Sequence, residues 1–133
     1  MSRDYQPMID YINNLQDFDC HNEIKLTVVR DNYAECRIDI TPIALNSQGI
    51  VHGAMLFALC DVATGYAICC YDRPAVTAGA NMEFISPGEG SFLRAVGEPV
   101  KVGGKVAVVE GRIYDEHDRL VAKGTFTYFF TDR

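Results

Sequence analysis

The spacing of apolar residues changes several times along the chain and predicts where helices give way to strands. Residues 4–17 carry apolar side chains at helical spacing, which predicts a short amphipathic helix. Two segments with alternating apolar and polar residues follow, at 24–30 and 33–40. Asp31 and Asn32 between them are typical of a tight turn, so the chain is expected to continue as a β-hairpin.

The next element, from Gly53 to Tyr71, is apolar almost all the way round and is predicted to be a helix buried on every side. Its length of about 19 residues also suits a membrane span. We reject that interpretation because Asp61 lies in the middle, small residues are abundant and basic flanks are missing. We therefore expect a core helix and no membrane partner.

The rest of the chain returns to the two-residue alternation of strands. Four strands are predicted, over residues 75–86, 91–102, 105–114 and 119–130. Gly97 and Pro99 indicate a bulge or a bend in the second of these. No helices separate the four strands, so an antiparallel arrangement is favoured. We predict one α+β domain over residues 1–133, with about six strands curved around one long helix.

Composition and charge narrow the possible partners. The chain has 12 Lys and Arg against 18 Asp and Glu, a net charge of -6, which argues against a nucleic-acid surface. Its five Cys residues include no CxxC spacing, so neither a disulfide framework nor a metal site is expected. The N-terminal segment has no signal-peptide core. These features suggest a cytoplasmic protein with reduced thiols.

Asp61 is unusual because it is the only charged residue in the segment Asn46–Asp61 and lies in the middle of the predicted buried helix. Burial of a carboxylate is costly there unless the group is paired or takes part in the chemistry. His52 and Asp61 lie nine residues apart, on opposite sides of the predicted helix and about 13.5 Å apart along its axis. One chain therefore cannot easily bring the helix N-terminus and this carboxylate to one small reacting group. Two antiparallel helices related by a twofold axis can. The spacing suggests a site shared between two subunits.

The chemistry of these groups suits hydrolysis of an activated acyl group. The free N–H at Gly53 and the helix dipole favour negative charge on a carbonyl oxygen. Asp61 supplies a carboxylate as base or nucleophile. Thr77 lies in the strand after the helix, on the face opposite Val76, Ala78 and Ala80, where its hydroxyl can orient a water.

The segment NSQGIVHGAMLFALCDVATGYA resembles the signature of hotdog-fold acyl-CoA thioesterases, in particular the phenylacetate-pathway (PaaI-type) branch. That signature consists of an Asn, a Gly, a His-Gly-Gly and an Asp nine positions after the His. The matching residues are Asn46, Gly49, His52, Gly53 and Asp61. The likeness runs from about residue 20 to the end of the chain. One residue departs from it: Ala54 replaces the second Gly, which narrows the acyl pocket or alters access to the backbone amide.

The resemblance implies a hotdog fold and a thioesterase that releases a carboxylic acid and free coenzyme A. It implies that Asp61 activates water or attacks the thioester, while Asn46 and the N–H of Gly53 hold the thioester carbonyl. Thr77 is implied to place the water. In similar enzymes the Asn and Gly come from one subunit and the Asp and Thr from its partner. The family forms dimers or tetramers, needs no metal or other cofactor, and binds coenzyme A near the dimer interface.

Several candidates also have a structural interpretation. His52 can orient the loop or cap the helix instead of acting as a base, and Asn46 can stabilise the preceding turn. A basic bend between two strands is either a solvated turn or a contact for the phosphates of coenzyme A. This bend consists of Lys101, Gly103, Gly104 and Lys105.

Two other functions use a similar pocket. A non-catalytic acyl-CoA sensor would bind the thioester without releasing a thiol. A dehydratase acting on 3-hydroxyacyl thioesters would need a His and a carboxylate paired at one site. Aromatic, short-chain and medium-chain acyl groups all remain open at this stage, as does the choice between dimer and tetramer.

Overall fold

The computed structural model describes residues 3–132. Its α-helices are α1 (Gln6–Asn13), α2 (Phe18–His21) and α3 (Gly53–Ala67), with 3₁₀ turns at Pro42–Ala44 and Cys69–Tyr71. The strands are β1 (Lys25–Arg30), β2 (Tyr33–Asp39), β3 (Ala75–Phe84), β4 (Phe92–Val102), β5 (Val106–Asp115) and β6 (Leu120–Phe130). The ends of all six strands lie within two residues of the bounds predicted from the sequence.

The six strands form one antiparallel sheet in the order β1-β2-β4-β5-β6-β3, and α3 packs across one face of it. Leu59, Cys60 and Ala63 of α3 are fully buried in one apolar core with side chains from the central strands. By length and composition the segment Gly53–Tyr71 could cross a membrane, yet it is the core helix of this sheet. The predicted α+β hotdog architecture is confirmed.

The predicted short N-terminal helix is present as α1, but it ends at Asn13 and not near residue 17, and a second short helix, α2, follows it. The side chain of Asn13 bonds the backbone of Leu26 twice, donating to its C=O at 2.8 Å and accepting from its N–H at 2.9 Å. This pairing ties the end of α1 to β1 in place of another helical turn. Asp17 then starts α2 by accepting the N–H of Cys20.

The prediction that the central helix is buried on every side is also wrong. The sheet covers one side of α3, but Ala54 and Phe57 are exposed and Asp61, Val62 and Tyr66 are only half-buried. A single curved sheet can enclose a helix on one side only. An apolar helix face with a carboxylate in its middle therefore stays open in one chain.

The alternation along β3 differs from the prediction because the strand contains a β-bulge. Thr77 pairs with Tyr128 and Gly79 pairs with the preceding residue of β6, so Ala78 is the extra residue. An extra residue reverses the in–out alternation beyond it. Thr77 therefore lies on the same face as Ala80, and not on the opposite face as predicted. The bulge or bend predicted near Gly97 and Pro99 is present as a register shift between Pro99 and Lys101.

Strand β3 lies at the edge of the sheet and pairs with β6 alone. Its exposed apolar side chains include Val76, which is 53% exposed, and Phe84, which is 57% exposed. A long edge strand with exposed apolar side chains is a ready surface for pairing with another chain.

Candidate active site

The loop before α3 is closed by Asn46. Its side-chain Oδ1 accepts the backbone N–H of Gln48 at 2.9 Å and of Ile50 at 3.3 Å, and its own N–H bonds the C=O of Ile50. Gly49 adopts a positive φ of 80° in this turn, which glycine tolerates without strain. With Oδ1 held by the loop, the Nδ2 of Asn46 has no acceptor among residues 3–132 and remains a free donor.

His52 caps the helix. Its Nδ1 accepts the N–H of Ala54 at 2.9 Å, and its C=O accepts the N–H of Met55. The structure therefore shows the capping role considered for His52. Gly53, the first residue of α3, donates its N–H to no acceptor in the part of the chain that the structure describes. This N–H remains available at the positive end of the helix dipole.

Asn46 and Gly53 open into the same cavity, which has a volume of about 380 Å³. Leu56 and Phe84 form part of its apolar wall. A Cβ added at Gly53 would lie 3.6 Å from the ring of Phe84, so the glycine leaves the space between ring and helix open. Two residues of one chain that carry free hydrogen-bond donors thus line the same cavity.

Asp61 lies two turns further along α3 and is half-buried. Thr77 donates its hydroxyl to Asp61 Oδ1 at 2.7 Å. This contact exists because the bulge at Ala78 turns Thr77 towards the helix. The resemblance implies that Thr77 places a water, whereas the structure shows its hydroxyl bound to the carboxylate itself.

Tyr128 and Thr64 also contact Asp61, and neither was expected. The hydroxyl of Tyr128 lies 3.0 Å from Asp61 Oδ1 and 2.7 Å from the Asp61 backbone oxygen. Thr64 Oγ1 is 2.8 Å from the same hydroxyl. A signal was present, because Phe126, Tyr128 and Phe130 alternate inward on β6 and a hydroxyl on a buried face needs a partner.

Burial controls the protonation of two groups beside Asp61. It raises the pKa of Tyr128 well above its usual range, so this hydroxyl stays protonated at neutral pH and can donate. Burial and the nearby Asp61 charge raise the pKa of Cys60 to about 12. Cys60 is therefore a neutral thiol and not a thiolate nucleophile.

The two sets of groups are well separated within one chain. Gly53 and Asp61 are eight residues apart on one helix, which corresponds to about 12 Å along its axis. Asp61 does not line the cavity that Asn46 and Gly53 share. Within a single chain, the donors of Asn46 and Gly53 and the carboxylate of Asp61 therefore cannot contact the same small chemical group.

Ala54 lines a second, apolar cavity of about 280 Å³ on the open side of α3. Phe18, Ile43 and Met55 contribute to the same wall. The methyl group of Ala54 therefore reduces a space that a glycine would leave larger. Its N–H is bound to His52, so this amide is not a free donor.

The basic bend forms the exposed turn between β4 and β5. Lys101 and Lys105 are exposed, whereas the N–H of Gly103 is bound to the C=O of Val106 at 2.8 Å. Arg73 donates to the C=O of Gly104 at 2.7 Å and holds the turn against the end of the sheet. The two lysine side chains are free to bind an anion, whereas the Gly103 N–H is already bound within the turn and cannot.

The chain belongs to the thioesterase superfamily, whose family model matches residues 48–122. The matched region contains Gly53, Asp61 and Thr77. The protein is a thioester hydrolase with a hotdog fold.

Solved structures of other members have the same fold. A hypothetical thioesterase from Streptococcus pneumoniae, solved with coenzyme A, is 28% identical over 83% of this chain and 87% of that chain, with a TM-score of 0.78. A Bacillus halodurans protein solved with CoA is 36% identical over 71% of this chain and 65% of that one, with a TM-score of 0.69. The Escherichia coli PaaI protein, from the phenylacetic acid degradation operon, shares the fold at 22% identity, 94% and 92% coverage, and a TM-score of 0.83. No curated protein matches the sequence.

Proposed function

We propose that the protein hydrolyses acyl-CoA thioesters at a site assembled from two subunits. The observation that carries this proposal is the division of the site: Asn46 and Gly53 present free donors to one cavity, whereas the Asp61 carboxylate lies about 12 Å along the same helix. Each chain thus holds two half-sites. A twofold partner with its helix antiparallel brings the two different halves together.

In this mechanism the thioester carbonyl accepts hydrogen bonds from Asn46 Nδ2 and the N–H of Gly53. These donors and the helix dipole stabilise the negative charge that develops on the carbonyl oxygen. The Asp61 of the second subunit is the base for the attacking water, or the nucleophile that forms an acyl intermediate. As the base, Asp61 takes a proton from the water and passes it to the sulfur as the C–S bond breaks, so that the free acid and coenzyme A leave together. As the nucleophile, it forms a mixed anhydride as the thiolate leaves and takes a proton from solvent, and water then hydrolyses the anhydride to the acid.

The dimer is supported by two surfaces that one chain leaves open. The outer face of α3 is apolar around Asp61, and β3 has an unpaired edge. Pairing two β3 strands would continue the sheet from one subunit into the next and bring both helices to the same side. A second copy of the chain would cover the outer face of α3 and the edge of β3 together, whereas a small ligand would cover only part of either.

Coenzyme A as the leaving group is supported by the similar Streptococcus and Bacillus proteins that were solved with it. Solved variants of the Streptococcus protein replace an Asp and a Thr by Ala, sixteen positions apart, the same spacing as Asp61 and Thr77. Lys101 and Lys105 supply exposed cations for the phosphates. They carry no ion pair within the described range.

The acyl group is proposed to be uncharged and apolar. The cavity beside Ala54 is walled by apolar side chains, and a PaaI-type activity on an aromatic acyl group such as phenylacetyl would suit it. Short-chain and medium-chain acyl groups share this apolar character. Ala54→Gly is expected to raise kcat/KM for the bulkier members of a series more than for acetyl-CoA.

The first experiment measures free thiol release from a panel of aromatic, short-chain and medium-chain acyl-CoA esters. Asp61→Asn should lower kcat by about 10²- to 10⁴-fold, the usual contribution of a positioned acid or base, without unfolding the protein. Asp39→Asn, a matched change of an exposed carboxylate on β2, should leave the rate unchanged. Binding without thiol release by the wild type would instead indicate a sensor. Enoyl product in place of thiol would indicate a dehydratase.

The second experiment tests the shared site by mixing two inactive variants. Asn46→Ala loses the carbonyl donor and Asp61→Asn loses the carboxylate, so a mixed dimer has one intact site and one doubly damaged site. After refolding an equal mixture, random pairing should restore roughly a quarter of the wild-type activity. If each chain holds a complete site, mixing restores nothing.

A further inference from the structure

Two hydroxyl groups, those of Thr77 and Tyr128, contact Asp61 Oδ1, and a third, that of Thr64, contacts the Tyr128 hydroxyl. Each hydroxyl has one proton to donate. Thr77 donates to Oδ1 at 2.7 Å. Thr64 Oγ1 lies 2.7 Å from the C=O of Cys60, one turn earlier in α3, and donates there. The proton of Tyr128 remains, and it has three oxygens within reach.

The proton of Tyr128 is best accepted by Asp61 Oδ1. The backbone oxygen of Asp61 is nearer, at 2.7 Å against 3.0 Å for Oδ1, but it is neutral and already accepts one N–H in the regular pattern of α3. Thr64 Oγ1 is a neutral acceptor, whereas the carboxylate is charged and forms the stronger bond. Oδ1 then receives two hydrogen bonds, from Thr77 and from Tyr128.

The other carboxylate oxygen, Oδ2, accepts no hydrogen bond from residues 3–132. It is not a buried atom either, since no buried side-chain oxygen of the described residues lacks a partner. The two oxygens of Asp61 are therefore unequal. Oδ1 is held by the protein, and Oδ2 is open.

We propose that Tyr128 is a positioning residue that, together with Thr77, holds Asp61 Oδ1 and so makes Oδ2 the oxygen that meets the water or the thioester. The inference rests on the proposed function and specifies how its carboxylate is oriented. Two donors on one oxygen fix the rotation of the carboxylate about its Cβ–Cγ bond. One donor alone leaves that rotation free over a wider range.

The surrounding structure holds Tyr128 in place for this role. Its side chain is 4% exposed, and it enters from β6 across the helix face that carries Asp61 and Gly65. A Cβ added at Gly65 would lie 3.3 Å from the Tyr128 hydroxyl, so the glycine leaves room for the phenol beside the helix. Thr64 completes the position through its 2.8 Å contact with the hydroxyl.

The test is Tyr128→Phe, which removes one oxygen and keeps the ring. Because misplacement of a reacting group by about 1 Å can cost about 100-fold in rate, we expect kcat to fall by about 10- to 100-fold. KM should stay within about twofold, since Tyr128 does not touch the donors that hold the carbonyl. Tyr33→Phe is the matched control, because it removes a hydroxyl that also donates to a carboxylate, that of Glu35, far from Asp61 on β2.

Thr64 provides a second pair of variants with less risk to folding. Thr64→Val removes the hydroxyl that supports Tyr128 and should lower kcat, whereas Thr64→Ser retains it and should keep most of the rate. If Thr64 had only a structural role, the kcat of each variant would fall only as far as its thermal stability falls. Wild-type kcat in Tyr128→Phe, or a loss of rate in Tyr128→Phe that Tyr33→Phe reproduces, would overturn the inference.

A crystal structure of Tyr128→Phe gives a readout that does not depend on turnover. We expect the Asp61 carboxylate to adopt more than one rotation in this variant and a single one in the wild type. An unchanged carboxylate would overturn the inference even if the wild type proved inactive on every thioester. Inactivity of the wild type would count against the proposed function alone.

Discussion

Gly97 lies where β4 crosses the central helix, and its replacement tests how closely sheet and helix are packed. A Cβ added at this position would lie 2.4 Å from the backbone oxygen of Ala63 and 2.8 Å from the backbone N of Thr64. Backbone atoms cannot rotate away as a side chain can. To reach the 3.4 Å of an ordinary contact, helix and strand must separate by about 1 Å.

The expected cost of Gly97→Ala follows from this overlap. Over-packing a well-packed core typically costs about 1–3 kcal/mol, and contact with rigid backbone places this site near the upper end. An unfolding entropy of about 2.1 cal/mol/K per residue over 133 residues makes 1 kcal/mol equal to roughly 3–4 °C. The midpoint of thermal unfolding should therefore fall by about 10 °C.

Circular dichroism during thermal unfolding measures this change, with Gly104→Ala as the control. Nothing lies within 4 Å of a Cβ at Gly104, so alanine there should leave the midpoint nearly unchanged. The displaced turn also carries Thr64, next to Asp61, so the rate of Gly97→Ala should fall at temperatures where it is folded. A midpoint within about 2 °C of the wild type would refute the close packing of β4 on α3.

Three further predictions address other parts of the molecule. His52→Ala should cost about 1 kcal/mol through the lost helix cap, while His52→Asn keeps a capping oxygen; equal unfolding midpoints for the two variants would refute the cap. Asp115 accepts three hydrogen bonds, two from Arg119 and one from the N–H of His117, and they lower the pKa of its carboxyl below the usual range. The carboxylate therefore stabilises the fold at pH values above its unfolded pKa of about 3.9, and this stabilisation is lost as the pH falls through the pKa of the folded protein. The stability difference between wild type and Asp115→Asn in urea titrations should accordingly be largest at neutral pH and shrink in acid; a difference that stays constant down to pH ~3 would contradict this. Cys36 and Cys60 are fully buried and burial raises both thiol pKa values, so a thiol reagent at pH ~8 should leave these two unmodified until the protein is unfolded, and rapid labelling of all five thiols in the native protein would be the contrary result.

The fold was largely predictable because its elements are encoded in local patterns. Strand bounds followed from two-residue alternation, and the Asp31–Asn32 turn is present with Asn32 at a φ of 59°. The N-terminal helix was predicted too long because the interaction that ends it is not local. Asn13 bonds Leu26, thirteen residues away, and periodicity within the helix carries no information about that partner.

The candidate site was predictable to the extent that it lies on one element. The order of Asn46, His52, Gly53 and Asp61 determines their spacing along a helix and its preceding loop. The sequence could not show that Asn46 Oδ1 is bound by the loop, which leaves Nδ2 as the free donor. That asymmetry depends on the turn closed through Gly49.

By itself the sequence determined which residues can act, because their chemistry and their separation along α3 follow from residue type and helical rise. Tertiary structure decided which of them touch. The bulge at Ala78 turns Thr77 towards Asp61, and the pairing of β6 with β3 brings Tyr128 to the same carboxylate from 67 residues away. Such contacts depend on how the sheet closes around the helix, and that closure is set by packing over the whole core and not by any local pattern.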